Sequence, residues 1–280
     1  MKFRLFIILL AVCCIFAACG TTPVPADEGT SAIIFKRPLG TKLELEIFPP
    51  EAPDTATGAA VLVFHGGGWV TGSKEQLPGE FPQLFDALHA QGITIVTADY
   101  RLATDGRDWS DCLADCVSAY HYLRRNAKKL GLDADRIGVM GYSAGAHLAM
   151  MAAVTEEGIP LCISLSGPTV LSFSPSGEYS SDALLYYRDL AFGKQDFTAG
   201  SPKAQLGRRC ETSFLLVNGK ADPVIPYAHA EAFGEEAAAL KVDAELMLAE
   251  GLTHSYNAYP DIAALSEEIA AWIAEKYKNN

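Results

Sequence analysis

The stretch Gly141-Tyr142-Ser143-Ala144-Gly145 has the pattern Gly-x-Ser-x-Gly, in which a serine stands between two glycines. An apolar run at 137–140 precedes this stretch, and a helix-like run at 147–153 follows it. This order predicts a strand, a sharp turn and a helix, with small residues beside the serine because such a turn leaves no room for side chains. The stretch therefore predicts a nucleophilic serine at a strand-to-helix turn.

Strand-like apolar runs alternate with helical patterns from residue 60 to the end, after an opening pair of strands. This alternation predicts an α/β fold whose mostly parallel, eight-stranded sheet carries helices on both faces. The predicted strands cover 32–35, 43–48, 60–64, 93–98, 137–140, 161–165, 214–217 and 244–248.

Composition and charge limit the possible functions. The chain has 280 residues, 49% of them apolar, which suffices for one large core but not for two enzymes of ordinary size. Its formal net charge is −12. This charge argues against nucleic acid as a partner, because non-specific affinity for nucleic acid comes mainly from neutralising phosphates.

The N-terminus has the features of a secretion signal. Lys2 and Arg4 precede an apolar run at 5–18, which is shorter than the roughly 20 residues that span a bilayer. Its end, Phe16-Ala17-Ala18-Cys19-Gly20, resembles the lipobox of bacterial lipoproteins, in which the cysteine receives the lipid. We therefore expect a lipoprotein signal at 1–19, a flexible tether at 20–30, a catalytic domain at 31–280, and a lipid anchor at Cys19 in the bacterial cell envelope. The alternative is an ordinary cleaved signal peptide.

A serine hydroxyl needs a histidine to take its proton, and a carboxylate must orient that histidine. In a sheet of this kind both groups follow the serine in the chain, the acid before the histidine. His254 lies in the loop after the predicted strand at 244–248, where a catalytic base belongs, whereas His147 and His229 lie on predicted helices. His254 is therefore the predicted base, whereas His147 is predicted to be structural and His229 to be solvated or packed.

The predicted acid is Asp222, which follows the strand at 214–217. A loop that leaves the sheet there directs its carboxylate toward the histidine loop. Asp243 and Asp261 are the alternatives, but Asp243 precedes a strand and Asp261 is a predicted cap of the last helix.

The run His65-Gly66-Gly67-Gly68-Trp69 is predicted to stabilise negative charge on the substrate oxygen. Without a Cβ, a glycine backbone can approach the substrate closely. The predicted oxyanion donors are the amides of Gly67, Gly68 and Ala144, the last at the start of a helix. His65 and Trp69 are predicted to hold the shape of the loop.

Four cysteines fall in the predicted domain. Cys112 and Cys116 lie one helical turn apart beside Asp111 and Asp115, but this set matches no common zinc pattern, so small buried hydrophobic residues are the favoured interpretation and no metal is predicted. Disulfide pairing among Cys112, Cys116, Cys162 and Cys210 stays open, since a cell envelope permits disulfides.

The stretch at 167–207 is long for a connection between two strands and is predicted to shape the substrate pocket. Its tyrosines could stack on sugars or only pack against the protein. They include Tyr179, Tyr186 and Tyr187.

Five motifs in order resemble those of α/β-hydrolase esterases near the acetyl-esterase and hormone-sensitive-lipase families. They lie at 65–72, 99–102, 133–138, 141–148 and 219–226. The short N-terminus is more similar to secreted carbohydrate acyl-esterases, including feruloyl and acetylxylan esterases. Ala146, where many relatives carry glycine, and Thr253-His254-Ser255 depart from the family pattern.

The resemblance implies a serine carboxylesterase that needs no cofactor and removes acetyl or small aromatic acyl groups from carbohydrate or small-molecule esters through an acyl-enzyme. Contact with the membrane is expected only through the lipid anchor. Two alternatives are a peptidase of the prolyl-oligopeptidase kind and a glycan-binding lipoprotein without catalysis.

Overall fold

A computed structural model describes residues 32–52, 55–193 and 197–279. Within these ranges one sheet of eight strands runs through the molecule in the order β1-β2-β4-β3-β5-β6-β7-β8. The strands are β1 (Ile33–Lys36), β2 (Leu43–Phe48), β3 (Ala60–Phe64), β4 (Thr94–Ala98), β5 (Ile137–Tyr142), β6 (Leu161–Leu165), β7 (Ser213–Gly219) and β8 (Ala244–Ala249).

The pairing of the strands is antiparallel at one edge and parallel elsewhere. β1 pairs antiparallel with β2, and β2 with β4. The other neighbours pair parallel, from β4–β3 across to β7–β8. The predicted α/β class, strand number and mostly parallel sheet are confirmed.

Helices cover both faces of the sheet, as the alternation predicts. They are α1 (Leu77–Glu80), α2 (Pro82–Ala90), α3 (Trp109–Asn126), α4 (Ala144–Thr155), α5 (Asp182–Phe192), α6 (Pro202–Gln205), α7 (Ala228–Leu240) and α8 (Ile262–Asn279). No helix among the described residues is long and apolar enough to cross a membrane. The predicted signal, tether and Cys19 anchor lie outside the described residues.

The core consists of two apolar layers, one on each side of the sheet. Alternate residues of β3 divide between them: Leu62 faces the layer that contains α3, α4 and α7, and Val63 faces the layer that contains α2 and α8. A strand buried on both faces is continuously apolar, as β3 is.

The four described cysteines are unbridged. Cys112, Cys116 and Cys162 are fully buried, as predicted for small hydrophobic residues, and burial raises the pKa of the Cys112 thiol to about 12. Asp115 binds Lys36 and Arg101. Its carboxylate is therefore part of an ion-pair network that joins β1 to α3.

Candidate active site

The turn between β5 and α4 holds Ser143 in a strained conformation. Ser143 has φ 55° and ψ −119°, in a region that non-glycine residues rarely occupy. A Cβ on Gly141 would lie 2.2 Å from the backbone of Gly145, and a Cβ on Gly145 would lie 2.2 Å from the Phe64 carbonyl oxygen. Both flanking glycines are therefore required by close backbone contacts, which explains the sequence pattern.

Ser143, His254 and Asp222 form one chain of hydrogen bonds. His254 Nε2 lies 3.1 Å from Ser143 Oγ, and His254 Nδ1 lies 2.8 Å from Asp222 Oδ2. All three residues are buried. The loops after β7 and β8 thus bring the three predicted groups together at the carboxyl edge of the sheet, where sites in such folds lie.

Hydrogen bonds hold Asp222 ionised. Its Oδ1 accepts from the amides of Val224 (2.8 Å) and Ile225 (2.9 Å). Burial alone would raise the pKa of Asp222, but the bond and charge of His254 and these two amides outweigh it, so the pKa lies below its ordinary value. An ionised Asp222 accepts the Nδ1 proton of His254 and leaves Nε2 free to accept from Ser143.

The alternative acids have other partners. Asp243 binds Ser213 Oγ at 2.7 Å and Lys276 Nζ at 2.6 Å. The backbone carbonyl of Asp261 accepts from Leu265 at the start of α8. Neither residue bonds to His254 in the described part of the chain, which agrees with the choice of Asp222.

The two other histidines are buried and structural, as predicted. His147 bonds to Trp69 and to the carbonyl of Gly200. His229 Nδ1 accepts from the amides of Thr169 and Val170, each at 3.2 Å. Burial lowers the pKa of both histidines to about 4. Both rings are therefore neutral in the folded protein near pH 7.

The glycine loop after β3 has the backbone geometry of a tight turn. Gly67 (φ 108°), Gly68 (φ 59°) and Trp69 (φ 64°) all lie at positive φ. Gly67 and Gly68 line the same cavity as Ser143 and His254, together with Ala144. Because Ala144 is the first residue of α4, its N–H has no acceptor within the helix. The three predicted oxyanion donors thus border the same cavity as Ser143.

His65 holds the start of this loop through contacts with Tyr100 and Gly66, as predicted. Its ring stacks on Tyr100 with centroids 4.1 Å apart, and its carbonyl accepts from the Tyr100 hydroxyl at 2.9 Å. Burial lowers the pKa of His65 to about 4, so Nδ1 donates to the Gly66 carbonyl from a neutral ring.

Sequence reasoning missed the role of Tyr142 in placing the base. The Tyr142 hydroxyl donates to the His254 carbonyl at 2.5 Å, and the two rings lie 5.0 Å apart. In the loop that departs from the family pattern, the Ser255 amide donates to the Thr253 hydroxyl at 3.3 Å. The first contact holds His254 from the end of β5, and the second lies within the turn of His254 itself.

The predicted insertion lines the cavity at Ser143. Pro168 and, from α5, Leu184 and Tyr187 line this cavity together with Gly67 and Gly68 of the glycine loop. Tyr187 packs against Gly68, whereas Tyr186 is 48% exposed. The insertion therefore does shape the pocket.

A second, larger cavity of about 300 Å³ lies near the base of the glycine loop. Its polar wall includes His65, Arg101 and Arg107, but neither Ser143 nor His254 borders it. The small cavity at Ser143, and not the large one, therefore holds the groups that could react.

Known proteins resemble this chain in motif and in fold. The BD-FAE family model matches residues 45–167. Esterase LipI of Mycobacterium tuberculosis is 35% identical over 116 residues, or 41% of this chain and 34% of that protein. Ethyl acetate hydrolase of Pseudomonas putida is 34% identical over 115 residues, or 41% of this chain and 35% of that protein.

Solved structures resemble this chain over about nine tenths of its length. A thermophilic esterase of Thermogutta terrifontis, Est2, has a TM-score of 0.70 at 25% identity and covers 90% of this chain and 92% of its own. The chain has the α/β-hydrolase fold. A truncated carbohydrate esterase from gut microbiota has a TM-score of 0.77 at 19% identity, over 91% of this chain and 99% of its own.

The sequence matches cover part of the chain and part of each relative. The chain spans about a third of the length of LipI and of ethyl acetate hydrolase. The BD-FAE match contains Ser143 and the glycine loop but ends before Asp222 and His254. The assignment of the acid and the base therefore depends on the geometry of the site.

Proposed function

We propose that this hydrolase is a serine carboxylesterase that removes short acyl groups from carbohydrate esters through an acyl-enzyme. The observation that carries the proposal is the continuous pair of bonds from Ser143 Oγ through His254 to Asp222, at 3.1 Å and 2.8 Å. The esterases among the matched proteins support the ester as substrate. The carbohydrate part is supported by the fold of the gut carbohydrate esterase and by the resemblance of the motifs.

In the first half of the reaction, His254 Nε2 takes the proton of Ser143 while Oγ attacks the ester carbonyl carbon. The carbonyl electrons move to the oxygen, which the amides of Gly67, Gly68 and Ala144 stabilise; one such donor is worth about 3 kcal/mol of barrier. When the intermediate collapses, the bond to the alcohol breaks and His254 returns the proton to the leaving oxygen. The acyl group stays on Ser143.

In the second half, a water molecule takes the place of the alcohol. His254 accepts a proton from the water as its oxygen attacks the acyl carbon, and the same oxyanion donors stabilise the new intermediate. Collapse releases the carboxylic acid and returns the proton to Ser143 Oγ. Asp222 stays ionised throughout and stabilises the charged form of His254.

Turnover of p-nitrophenyl acetate by the purified protein tests the proposal. We expect release of nitrophenol that is lost in Ser143→Ala, and labelling of Ser143 by a fluorophosphonate probe. A folded protein that neither reacts with the probe nor hydrolyses esters would instead indicate a glycan-binding role. Preference for aminoacyl-nitroanilides over esters would indicate a peptidase, and a panel of acetylated and feruloylated oligosaccharides tests the carbohydrate part.

The envelope location is a separate proposal. It is supported by the signal-like run at 5–18 and the lipobox-like residues around Cys19. Expressed in a bacterium, the full chain should fractionate with membranes, and Cys19→Ser should move it to the soluble fraction. If both proteins fractionate alike, Cys19 is not the anchor.

A further inference from the structure

The catalytic cavity is small. It has a volume of about 30 Å³, roughly twice the space that one water molecule requires. A sugar ring is far larger than this space, so in a carbohydrate ester the alcohol must lie outside the cavity. The acyl group is then the part of the substrate that enters it.

Tyr187 forms the wall nearest to the oxyanion donors. A Cβ placed on Gly68 would lie only 2.3 Å from Cδ1 of Tyr187, so the ring is in direct contact with this part of the loop. Leu184, one helical turn earlier on α5, is 2% exposed and lines the same cavity. Val224 and Ile225 complete an apolar wall.

Helix α5 is fixed to the catalytic core at its start. The Ser181 hydroxyl caps α5 by accepting from the Leu184 amide at 3.0 Å, and it donates to the Val224 carbonyl at 2.6 Å. The Val224 amide in turn donates to Asp222. The wall of the cavity and the loop of the catalytic acid are thus joined by direct hydrogen bonds.

A buried arginine fixes the same helix one residue after Tyr187. Arg188 is 6% exposed, donates to the Leu171 carbonyl at 3.2 Å, and lies between the rings of Phe173 (4.7 Å) and Phe197 (4.1 Å). A cation that lies over two aromatic faces and also donates to a carbonyl resists displacement. The position of Tyr187 is therefore set by packing and bonds on both sides of it.

We propose that Tyr187 and Leu184 limit the acyl group to the size of acetyl and exclude aromatic acyl groups such as feruloyl. This inference rests on the proposed esterase function and narrows it. The motifs imply either acetyl or small aromatic acyl groups, and the small cavity admits only acetyl. The same walls do not limit the size of the alcohol, because the alcohol lies outside the cavity.

The test holds the leaving group constant and varies the acyl chain. The substrates of the full-length protein are p-nitrophenyl acetate, butyrate, octanoate and ferulate. We expect kcat/KM to fall by at least about 10-fold from acetate to butyrate, and to fall further for octanoate and ferulate. Tyr187→Ala and Leu184→Ala should each raise the butyrate-to-acetate ratio by about 10-fold. Tyr187→Phe, which keeps the ring, should retain the wild-type profile.

Leu190→Ala is the matched control, since Leu190 lies on the same helix but is 49% exposed and does not border the cavity. Equal turnover of acetate and ferulate by the wild-type protein overturns the inference, and so does a Tyr187→Ala profile equal to that of Leu190→Ala. If the folded wild-type protein turns over no ester at all, the proposed function itself fails. The wild-type acyl series alone decides the matter if the alanine variants do not fold.

Discussion

The indole N–H of Trp69 donates to Nδ1 of His147 at 3.1 Å, which joins the glycine loop to the helix that follows the nucleophile. The other ring nitrogen, Nε2, then carries the proton and donates to the Gly200 carbonyl at 2.7 Å. Trp69 has a positive φ of 64°, which a bulky residue adopts only under constraint. We therefore predict that His147 positions the glycine loop, which carries the proposed oxyanion donors Gly67 and Gly68.

Replacement of His147 should slow catalysis without removing a reacting group. In His147→Ala the Trp69 N–H loses its buried acceptor, at a cost of about 1–3 kcal/mol in stability, and the loop is free to shift. We expect kcat on p-nitrophenyl acetate to fall by about 10-fold, with KM nearly unchanged. This loss is smaller than the one expected when an oxyanion donor is removed entirely.

His147→Gln, which can supply an acceptor, should recover part of this loss. His121 provides the control because its ring is 40% exposed and bonds to Glu156 at the surface. If His147→Ala and His121→Ala show the same kcat, then His147 does not position the loop.

Asp222→Asn should show whether Asp222, and not Asp243, is the catalytic acid. An amide cannot stabilise the charged form of His254 and favours the wrong tautomer, so kcat should fall by about 10⁴-fold while the protein stays folded. Asp243→Asn is the matched change, since Asp243 lies in the loop before β8 and binds Lys276 instead. Similar kcat values for the two variants would contradict the assignment of Asp222.

The sequence was sufficient to predict the sheet, and also the three side chains that the structure brings together at Ser143, because both depend on order along the chain. Strands β2, β3 and β6 begin and end at the predicted residues, β2 from its alternating pattern and the other two from their apolar runs. β7 is longer than its predicted 214–217, since it pairs with β8 as far as Gly219. An apolar pattern reports burial, and it does not report backbone hydrogen bonding beyond the buried stretch.

Contacts between distant segments could not be predicted in the same way. The bond from Trp69 to His147 joins residues 78 positions apart, and the bond from Tyr142 to His254 joins residues 112 positions apart. The closeness of Tyr187 to Gly68 depends on how the insertion folds over the loop. Nothing in the local pattern of these residues encodes their partners, so only packing in three dimensions reveals them.

The buried histidines should make the folded state sensitive to acid. Burial lowers the pKa of His65, His147 and His229 from 6.5 to about 4, so below pH 6.5 the unfolded chain binds protons that the folded protein does not. The stability that these residues confer is present at pH 7 and is lost as the pH falls from 6.5 toward 4. Each should contribute roughly 2–3 kcal/mol to that loss.

Urea unfolding at pH 7 and at pH 4.5 measures this effect. His229→Gln should be less stable at pH 7, because the amides of Thr169 and Val170 lose their acceptor, but its stability should fall less between the two pH values. His121→Gln, at the surface, should keep the wild-type pH dependence. An unchanged pH dependence in His229→Gln would show that folding does not lower the pKa of the His229 ring.

A single methyl group at Gly145 should misplace the nucleophile. The added Cβ would lie 2.2 Å from the Phe64 carbonyl oxygen and 2.3 Å from that of His65, both backbone atoms that cannot rotate away. Helix α4 must then move off β3, which carries Ser143 away from the glycine loop. We expect Gly145→Ala to lose at least about 2 kcal/mol of stability, as overpacked cores do, and most of its esterase activity.

Gly79→Ala is the control for the same chemical change. Gly79 also lies in a helix, but its Cβ would meet nothing within 4 Å, so the loss of backbone freedom in the unfolded chain should leave the variant as stable as the wild type or slightly more stable. Thermal unfolding and p-nitrophenyl acetate turnover compare the two variants. If Gly145→Ala matches Gly79→Ala in both, the close approach of α4 to β3 is not what places Ser143, and the strained φ of the serine must be held from elsewhere, for example by the bond of its amide to the Leu165 carbonyl at 2.8 Å.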